Sequence, residues 1–499
     1  MIKKLEELRS EYDIVIVGAG IAGLGLSRLL NTENKKVLII ESGNLKFNNK
    51  INKQSLALSR NLGNWPSKHY ASFHSRLRMF GGNSNVWGGW CMELDEFDYS
   101  QNNIWGDIKN DLKFHYKTAY ELLNINPKSI SSSELGLNSV KPYTINISRG
   151  NFKKESKDFI ESNKNIDLIL NTNLIAINFE FNVVKSINIE TSTKEIKTIT
   201  LQKLVISTGG IESAKILQKQ IPDNLKNNYV GRYFMEHPQI QVGRVKIKDK
   251  DINKFIKKYS PPTAKHLFDD KLNKQEDKYF SGFKSINSDI RNYFVLRTSD
   301  VYQSKALYRL RHIILTQSLK STGNIKVSDL YELARDLIDM FMKKIISKIS
   351  NKKSYSVVLH LEQKPNYDNQ IYFDEQQNTI LDWNFNEDDF DNLEQSLEDL
   401  NIIFKEMNSE FYLKNIFNQN KKQILEYLKK NIFGIGHHMG TTIMGNSKNN
   451  SVCDTDLKYH GVDNLFVNST SVFPSGGIAN PTLTMLGLTS RLADKLNKE

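Results

Sequence analysis

An unbroken apolar strand that runs into closely spaced glycines and then a helix leaves few folds open, and residues 12–41 have that form. The run DIVIV reads as a strand buried on both faces; Gly18-Ala19-Gly20-Ile21-Ala22-Gly23 follows, and then the helical LGLSRLLN. A second strand, KVLIIESG, carries Glu41 at its carboxyl end. Together these predict a dinucleotide fold. Gly18, Gly20 and Gly23 would admit a pyrophosphate to the helix N-terminus, and Glu41 would take ribose hydroxyls. Residues 204–207, with Gly209-Gly210 and a helix behind them, read as a second strand-glycine-helix element of the same sheet.

Length and charge narrow the rest. A chain of 499 residues buries large cores and suits two or three domains. No window has the apolar length of a membrane span, and the N-terminus passes from a charged stretch straight into a strand without a signal-peptide core, so a cytoplasmic protein is expected. Cys91 and Cys453 have no metal-like spacing, which predicts neither a disulfide framework nor a metal site. The net charge of +12 comes from lysines spread over surface turns rather than a focused patch, so no nucleic-acid partner is expected.

The stretch 434–496 reads as an active-site wall: GIGHHMGTTIMG, a strand-like NLFVNSTSVFP, then SGGIANPTLTMLGLTSRLADKL. Asn480 is the expected N-cap and Pro481 the first helical residue, with Leu483, Leu486, Leu488, Leu492 and Leu496 at helical spacing. Such a helix N-terminus would stabilise an anion, for example the N1–C2=O edge of a reduced flavin. A His and an Asn beside it could share an alcohol O–H, the His removing the proton as hydride leaves the carbon. A His pair before a glycine is also a common structural feature.

Between these ends, residues 44–75 read as a polar surface loop. Gly81, Gly82, Gly88 and Gly89 bracket Asn83, Ser84 and Trp87, so that backbone could approach a flat ligand. Residues 105–125 read as an amphipathic packing helix, and His237, in Glu236-His237-Pro238, as a structural histidine. Beyond about residue 240 the strands YSVVLHLEQ, QIYFDEQ and TILDWNF predict a separate antiparallel sheet with covering helices, suited to recognising a substrate. The helix expected over 328–350 ends in lysines. It could lie on an anionic membrane, but core or subunit packing is the favoured reading.

Taken in order, YDIVIVGAGIAGLGLSRLL, FGGNSNVWGG, LVISTGGIESAKIL, VGRYFMEHP and HHMGTTIMG with HGVDNLFVNSTSVFPSGGIANPTLT resemble the glucose-methanol-choline (GMC) flavoprotein oxidoreductases, from residue 12 to residue 496. The resemblance implies an α/β Rossmann-like FAD domain, discontinuous in sequence, plus an α+β substrate domain with an antiparallel sheet. Its segments would be 1–240, 241–430 and a C-terminal return over 431–499. It further implies oxidation of an alcohol to a carbonyl by hydride transfer to flavin N5. The family's active-site His falls on His437 and its partner on Asn480, whereas His438 would point elsewhere. Gly18, Gly20, Gly23 and Glu41 match the nucleotide site; Gly82, Asn83 and Ser84 match the loop beside the flavin ring. Leu174 matches an adenine contact, and Pro481 and Thr482 match the helix end against the flavin.

The form GG-x-S-x-x-W, with Trp87, is similar to pyranose oxidases and sugar dehydrogenases and shifts the expected substrate towards a sugar, glycoside or polyol. Val86 stands where a histidine can bond covalently to flavin, which implies FAD held without a covalent link. The segment around Ser469 lacks the Asp often found there. Three alternatives remain open: oxidation of a lipid, sterol or aliphatic alcohol; a lyase or decarboxylase use of the fold; and a binding-only flavoprotein. The last two sit poorly with His437 and Asn480 both present.

Overall fold

Which residues alternate and which do not decides the layers. Strands buried through their carboxyl ends form the core of a seven-stranded sheet: β6 (Ile166–Ile169), β2 (Val37–Ile40), β1 (Glu11–Val17) and β9 (Ile196–Ile206) lie side by side in parallel. β18 (Leu465–Val467) also joins β9 in parallel, with Leu465 opposite Leu204. The sheet continues from β9 through the antiparallel pair β8 (Val183–Thr191) and β7 (Thr172–Glu180). The computed structural model describes residues 1–61, 75–148, 150–261, 278–286, 292–297 and 354–499, with isolated positions between 310 and 338. The basic stretch 328–350 therefore lies, apart from such positions, outside the described residues.

A second, eight-stranded sheet is antiparallel. It runs β16 (Ser409–Leu413), β10 (Pro238–Ile247), β13 (Ser354–Leu361), β12 (Asn292–Arg297), β11 (Tyr279–Ser285), β5 (Val140–Ile147) and β4 (Trp90–Cys91), with β17 (Phe433–Gly434) also on β10. A small third sheet joins β14 (Gln370–Phe373), β15 (Thr379–Trp383) and β3 (Leu58–Asn61). Alternation gives the second sheet two characters. Ile240, Val242, Val357, Leu359 and Phe294 pack on one side with Phe390, Leu393 and Phe404 of the helix Glu387–Glu406. On the other side, Phe280, Tyr293, Val295 and Val358 join the core of the nucleotide domain, and Gln239, Gln241, Ser356 and His360 lie on this same side.

Three expectations need adjustment. A boundary at residue 240 does not follow the antiparallel sheet, because β4 and β5 come from the first segment and β10 begins at Pro238. The stretch 105–125 is two helices, Asn103–Asp107 and Lys109–Leu122, parted at Ile108. Its described part of 44–75 is no simple surface loop: Asn52 and Ser55 are fully buried, and Asn52 exchanges hydrogen bonds with the Arg78 backbone. A net-positive cluster follows, with Arg76 and Arg78 each 2.8 Å from Glu212 and Lys215 at 3.0 Å. Although burial opposes it, Arg78, Lys215 and Arg76 hold the Glu212 carboxyl down to about 2. That network ties the chain at 76–78 to the helix Gly209–Gln220.

The closing helix Pro481–Lys498 returns to the first domain and packs along Lys109–Leu122. His115 meets Ser490 at 2.9 Å and Tyr116 meets Thr484 at 2.9 Å; Leu483, Leu486, Leu488, Leu492 and Leu496 are all buried, as their spacing predicts. Cys91 and Cys453 are buried free thiols. Among the described residues, no helix is long and apolar enough to cross a membrane.

Candidate active site

The nucleotide end is shaped by what three glycines leave out. Gly18 takes φ +105°, and a methyl there would sit 2.6 Å from the Ser207 carbonyl oxygen. At Gly23 a methyl would fall 2.0 Å from the Gly18 carbonyl oxygen, so the helix Ile21–Leu29 rests directly on the turn. Gly20, by contrast, faces open space, with nothing within 4 Å of an added Cβ. This helix has no side-chain cap and no acid in its first turn, so its leading amides are left for a ligand anion. Glu41 stands beside them, its oxygens accepting from the amides of Ala19 at 2.9 Å and Gly43 at 2.7 Å; burial raises its pKa. Leu174 lies on β7, which starts against the Glu41 backbone and is bulged between Leu174 and Ala176. An open glycine, free amides and a strand-end carboxylate fit a dinucleotide such as FAD.

The second glycine loop is laid on the first. Gly81 donates its amide to the Ala19 carbonyl at 2.8 Å, and an added Cβ at Gly82 would be 3.1 Å from Gly20 Cα. Asn83 accepts from the Leu77 amide at 3.0 Å and donates to the Ser75 carbonyl, while the Ser84 hydroxyl donates to the Gly81 carbonyl at 2.7 Å. These side chains brace the loop, which fits a role of holding backbone against a ligand. The neighbourhood of Ser469 is a hydroxyl network, with Ser471 at 2.5 Å and Ser213 at 3.3 Å.

The wall around His437 comes from four places in the chain. A bridge between Met235 and Met439 sets residues 235–237 against 437–439. His237 Nδ1 lies 3.0 Å from His437 Nδ1, and His237 Nε2 lies 2.8 Å from the Gly477 carbonyl oxygen. Glu362 accepts from the Gly477 amide at 2.8 Å, and Glu236 from the amides of Gly436 at 2.7 Å and His237 at 2.8 Å. Burial pushes the His237 pKa down to about 4, and burial with neighbouring His237, His360 and His438 holds His437 well below the usual histidine range. Both rings are therefore neutral at pH 7. His437 is only partly buried, unlike His237 and His438. The His438 ring is directed elsewhere, with Glu236 Oε1 at 3.5 Å and Ser75 Oγ at 3.4 Å.

Asn480 needs a correction. It occupies the N-cap position with Pro481 at the start of the helix, but its side chain makes no capping hydrogen bond. Its backbone, at φ −59° and ψ 128°, has the polyproline-like shape that a following proline imposes. The amides of the first turn, Thr482 among them, are thus left without a side-chain cap, and no acid lies there. Asn480 is 8% exposed, and its amide makes no hydrogen bond among the described residues. His237 ties His437 to Gly477, which precedes Asn480 by three residues in the chain.

Sequence reading did not single out His237, Glu362 or His360 for this wall. His360, on β13, accepts from Gln239 at 2.8 Å and stacks on Tyr293 at 4.3 Å; burial, with Arg297 and His237 adding to it, holds its pKa well below the usual value. Trp90 lies against Phe280 at 4.6 Å, with the Arg297 guanidinium 5.4 Å over its ring. The Glu-His-Pro step before β10 is the one local signal that could have pointed to His237. For His360 and Glu362 there is none, since only the pairing of distant strands brings them here.

Comparison with known proteins bears on the fold and the cofactor. Residues 365–489 match the family model of the GMC oxidoreductases, and residues 12–252 that of the pyridine nucleotide-disulphide oxidoreductases. No curated protein matches the chain. Among solved structures, pyridoxine 4-oxidase from Mesorbium loti has a TM-score of 0.62 at 14% identity, over 98% of this chain and 99% of that one. An FAD-dependent oxidoreductase from Chaetomium thermophilum gives 0.61 at 14%, over 98% and 99%. Formate oxidase from Aspergillus oryzae RIB40 gives 0.56 at 14%, over 98% of each. At such identity the structures speak for the fold; the two family models and the open nucleotide cradle identify an FAD-dependent oxidoreductase whose residues 365–489 form a GMC oxidoreductase C-terminal domain.

Proposed function

We propose that the chain oxidises a CH–OH group of a sugar, glycoside or polyol, with His437 as the base. The observation that carries this reading is the neutral, partly exposed His437 ring, held at 3.0 Å by His237, whose other nitrogen bonds Gly477 shortly before a helix that starts without a side-chain cap. Bound FAD supplies the hydride acceptor. His437 takes the hydroxyl proton on the ring nitrogen not engaged by His237, and Asn480 orients the same oxygen. The first-turn amides of Pro481–Lys498 favour negative charge that builds up before them. A polar substrate suits the side of the second sheet that carries Gln239, Gln241, Ser356 and His360.

The test is an anaerobic absorbance titration of the yellow protein with D-glucose, xylitol, pyridoxine, benzyl alcohol and octanol. Bleaching by the polyhydroxy compounds is expected; bleaching by octanol alone would discard the carbohydrate reading. Pyridoxine belongs in the panel because a structural neighbour is an oxidase of that compound and because Trp90, Tyr293 and His360 line the wall with rings. Readmission of air then separates an oxidase, which regains its colour quickly, from a dehydrogenase.

The pH dependence follows from the same ring. The reactive form of His437 is neutral and its pKa is depressed, so the rate of flavin reduction should stay level as pH falls from 8 through the ordinary histidine value of 6.5 and decline only below it. Stability has the same sign. The unfolded chain binds protons at these histidines near 6.5 while the folded pair stays neutral, so stability is complete above that value and is lost as pH falls towards about 4 for His237. Stopped-flow reduction and urea midpoints across pH 4.5–8 check both; a loss of rate beginning near pH 7 would contradict the assignment.

A further inference from the structure

His237 is bonded on both sides, and the two bonds together determine where its proton sits. Its Nε2 lies 2.8 Å from the Gly477 carbonyl oxygen, which can only accept, so Nε2 carries the hydrogen. A neutral imidazole has a single N–H, which leaves Nδ1 of His237 as a lone pair. His437 Nδ1 is 3.0 Å from that lone pair and must donate to it. Since His437 is neutral as well, its remaining nitrogen, Nε2, has no hydrogen. An isolated imidazole prefers the opposite arrangement, with the hydrogen on Nε2, where it would block uptake of a proton from the alcohol.

We propose that His237 is a positioning residue that imposes the Nδ1-protonated tautomer on His437 and so keeps Nε2 available as the base, with Gly477 and Glu362 as its anchor. The anchor is rigid. The Gly477 amide is held by Glu362 Oε1 at 2.8 Å, and Gly477 sits at φ +59°, where an added Cβ would lie 2.9 Å from Leu94 and 3.0 Å from Asp98. The peptide that accepts from His237 therefore has one orientation. The arrangement parallels a triad in which a third group sets the tautomer of the catalytic histidine, except that the third group here is neutral. A neutral partner adds no charge to stabilise an imidazolium, which suits a base that starts and returns uncharged.

This inference rests on His437 being the base, and its test separates the two. Holoenzyme with 15N-labelled histidine is compared for wild type, His237→Asn, His237→Phe and His437→Ala, the last assigning the His437 signals. Wild type should show an unprotonated Nε2 on His437. His237→Asn, which keeps an acceptor near the Nδ1 position, should preserve that signature, and His237→Phe should convert it to the Nε2-protonated or averaged form. In stopped-flow reduction by whichever panel alcohol bleaches the flavin, His237→Phe should be slower by about 10- to 100-fold, with most of the loss recovered in His237→Asn. An Nε2-protonated His437 in wild type, or an unchanged signature in His237→Phe, overturns the proposal, as does an equal loss of rate in both variants. If His437→Ala reduces normally while the tautomer is as expected, the base assignment fails and the tautomer control stands.

Discussion

His437→Ala should slow reduction of the bound flavin by its alcohol about 1,000-fold, within the ~100- to 10,000-fold range that general acid-base groups contribute. FAD content should stay at the wild-type level. The second half of this expectation comes from the structure: the features that fit the nucleotide, Gly20, the helix Ile21–Leu29 behind it and Glu41 at the end of β2, make no hydrogen bond to His437. Removing the ring leaves His237 without its donor, but His237 keeps its bond to Gly477. Flavin absorbance per protein and stopped-flow reduction measure the two halves separately. Loss of FAD with loss of rate would make His437 a structural residue and return the base to an open question.

Gly440→Ala should damage the fold rather than the chemistry. Gly440 takes φ +90°, and an added methyl would lie 1.9 Å from the Tyr233 carbonyl oxygen and 2.7 Å from Met235 Cε. Backbone strain of about 1–3 kcal/mol and overpacking of about 1–3 kcal/mol suggest a loss of roughly 2–6 kcal/mol, read as a lower urea midpoint. The collision would force apart the 235–237 and 437–439 segments, so the His237–His437 contact should open with it. A wild-type midpoint in this variant would show that the two segments are not packed this closely.

What could be read from the sequence was what is local. The strands of the parallel sheet announce themselves as continuous apolar runs, the glycines of the first turn by their spacing, and the closing helix by Pro481 and its leucines. The antiparallel sheet was legible as strands but not as a partnership. Nothing near Trp90 or Val140 says that β4 and β5 will cross to pair beside β11, because strand pairing depends on contacts distant in sequence. His237 reads in the sequence as a structural histidine, and a buried ring bonded at both nitrogens fits that reading; only the identity of one partner, His437, suggests the positioning role proposed above, and that partner is distant in sequence. Asn480 shows the limit of a capping rule: its position was right, yet proline at the next residue set the backbone and the amide was not used as a cap.

The pairing of β18 with β9 also bears on how the protein is made. β8 covers β9 only as far as Thr200, and Leu465 lies opposite Leu204, so during synthesis the 204–206 end of β9 waits with one edge uncovered until the ribosome has added the intervening chain, roughly 13–50 s at typical elongation rates. That exposed strand edge is a template for wrong pairing with another nascent chain. A holdase that shields it, or a lower expression temperature, should therefore raise the yield of flavin-loaded protein more than added FAD does.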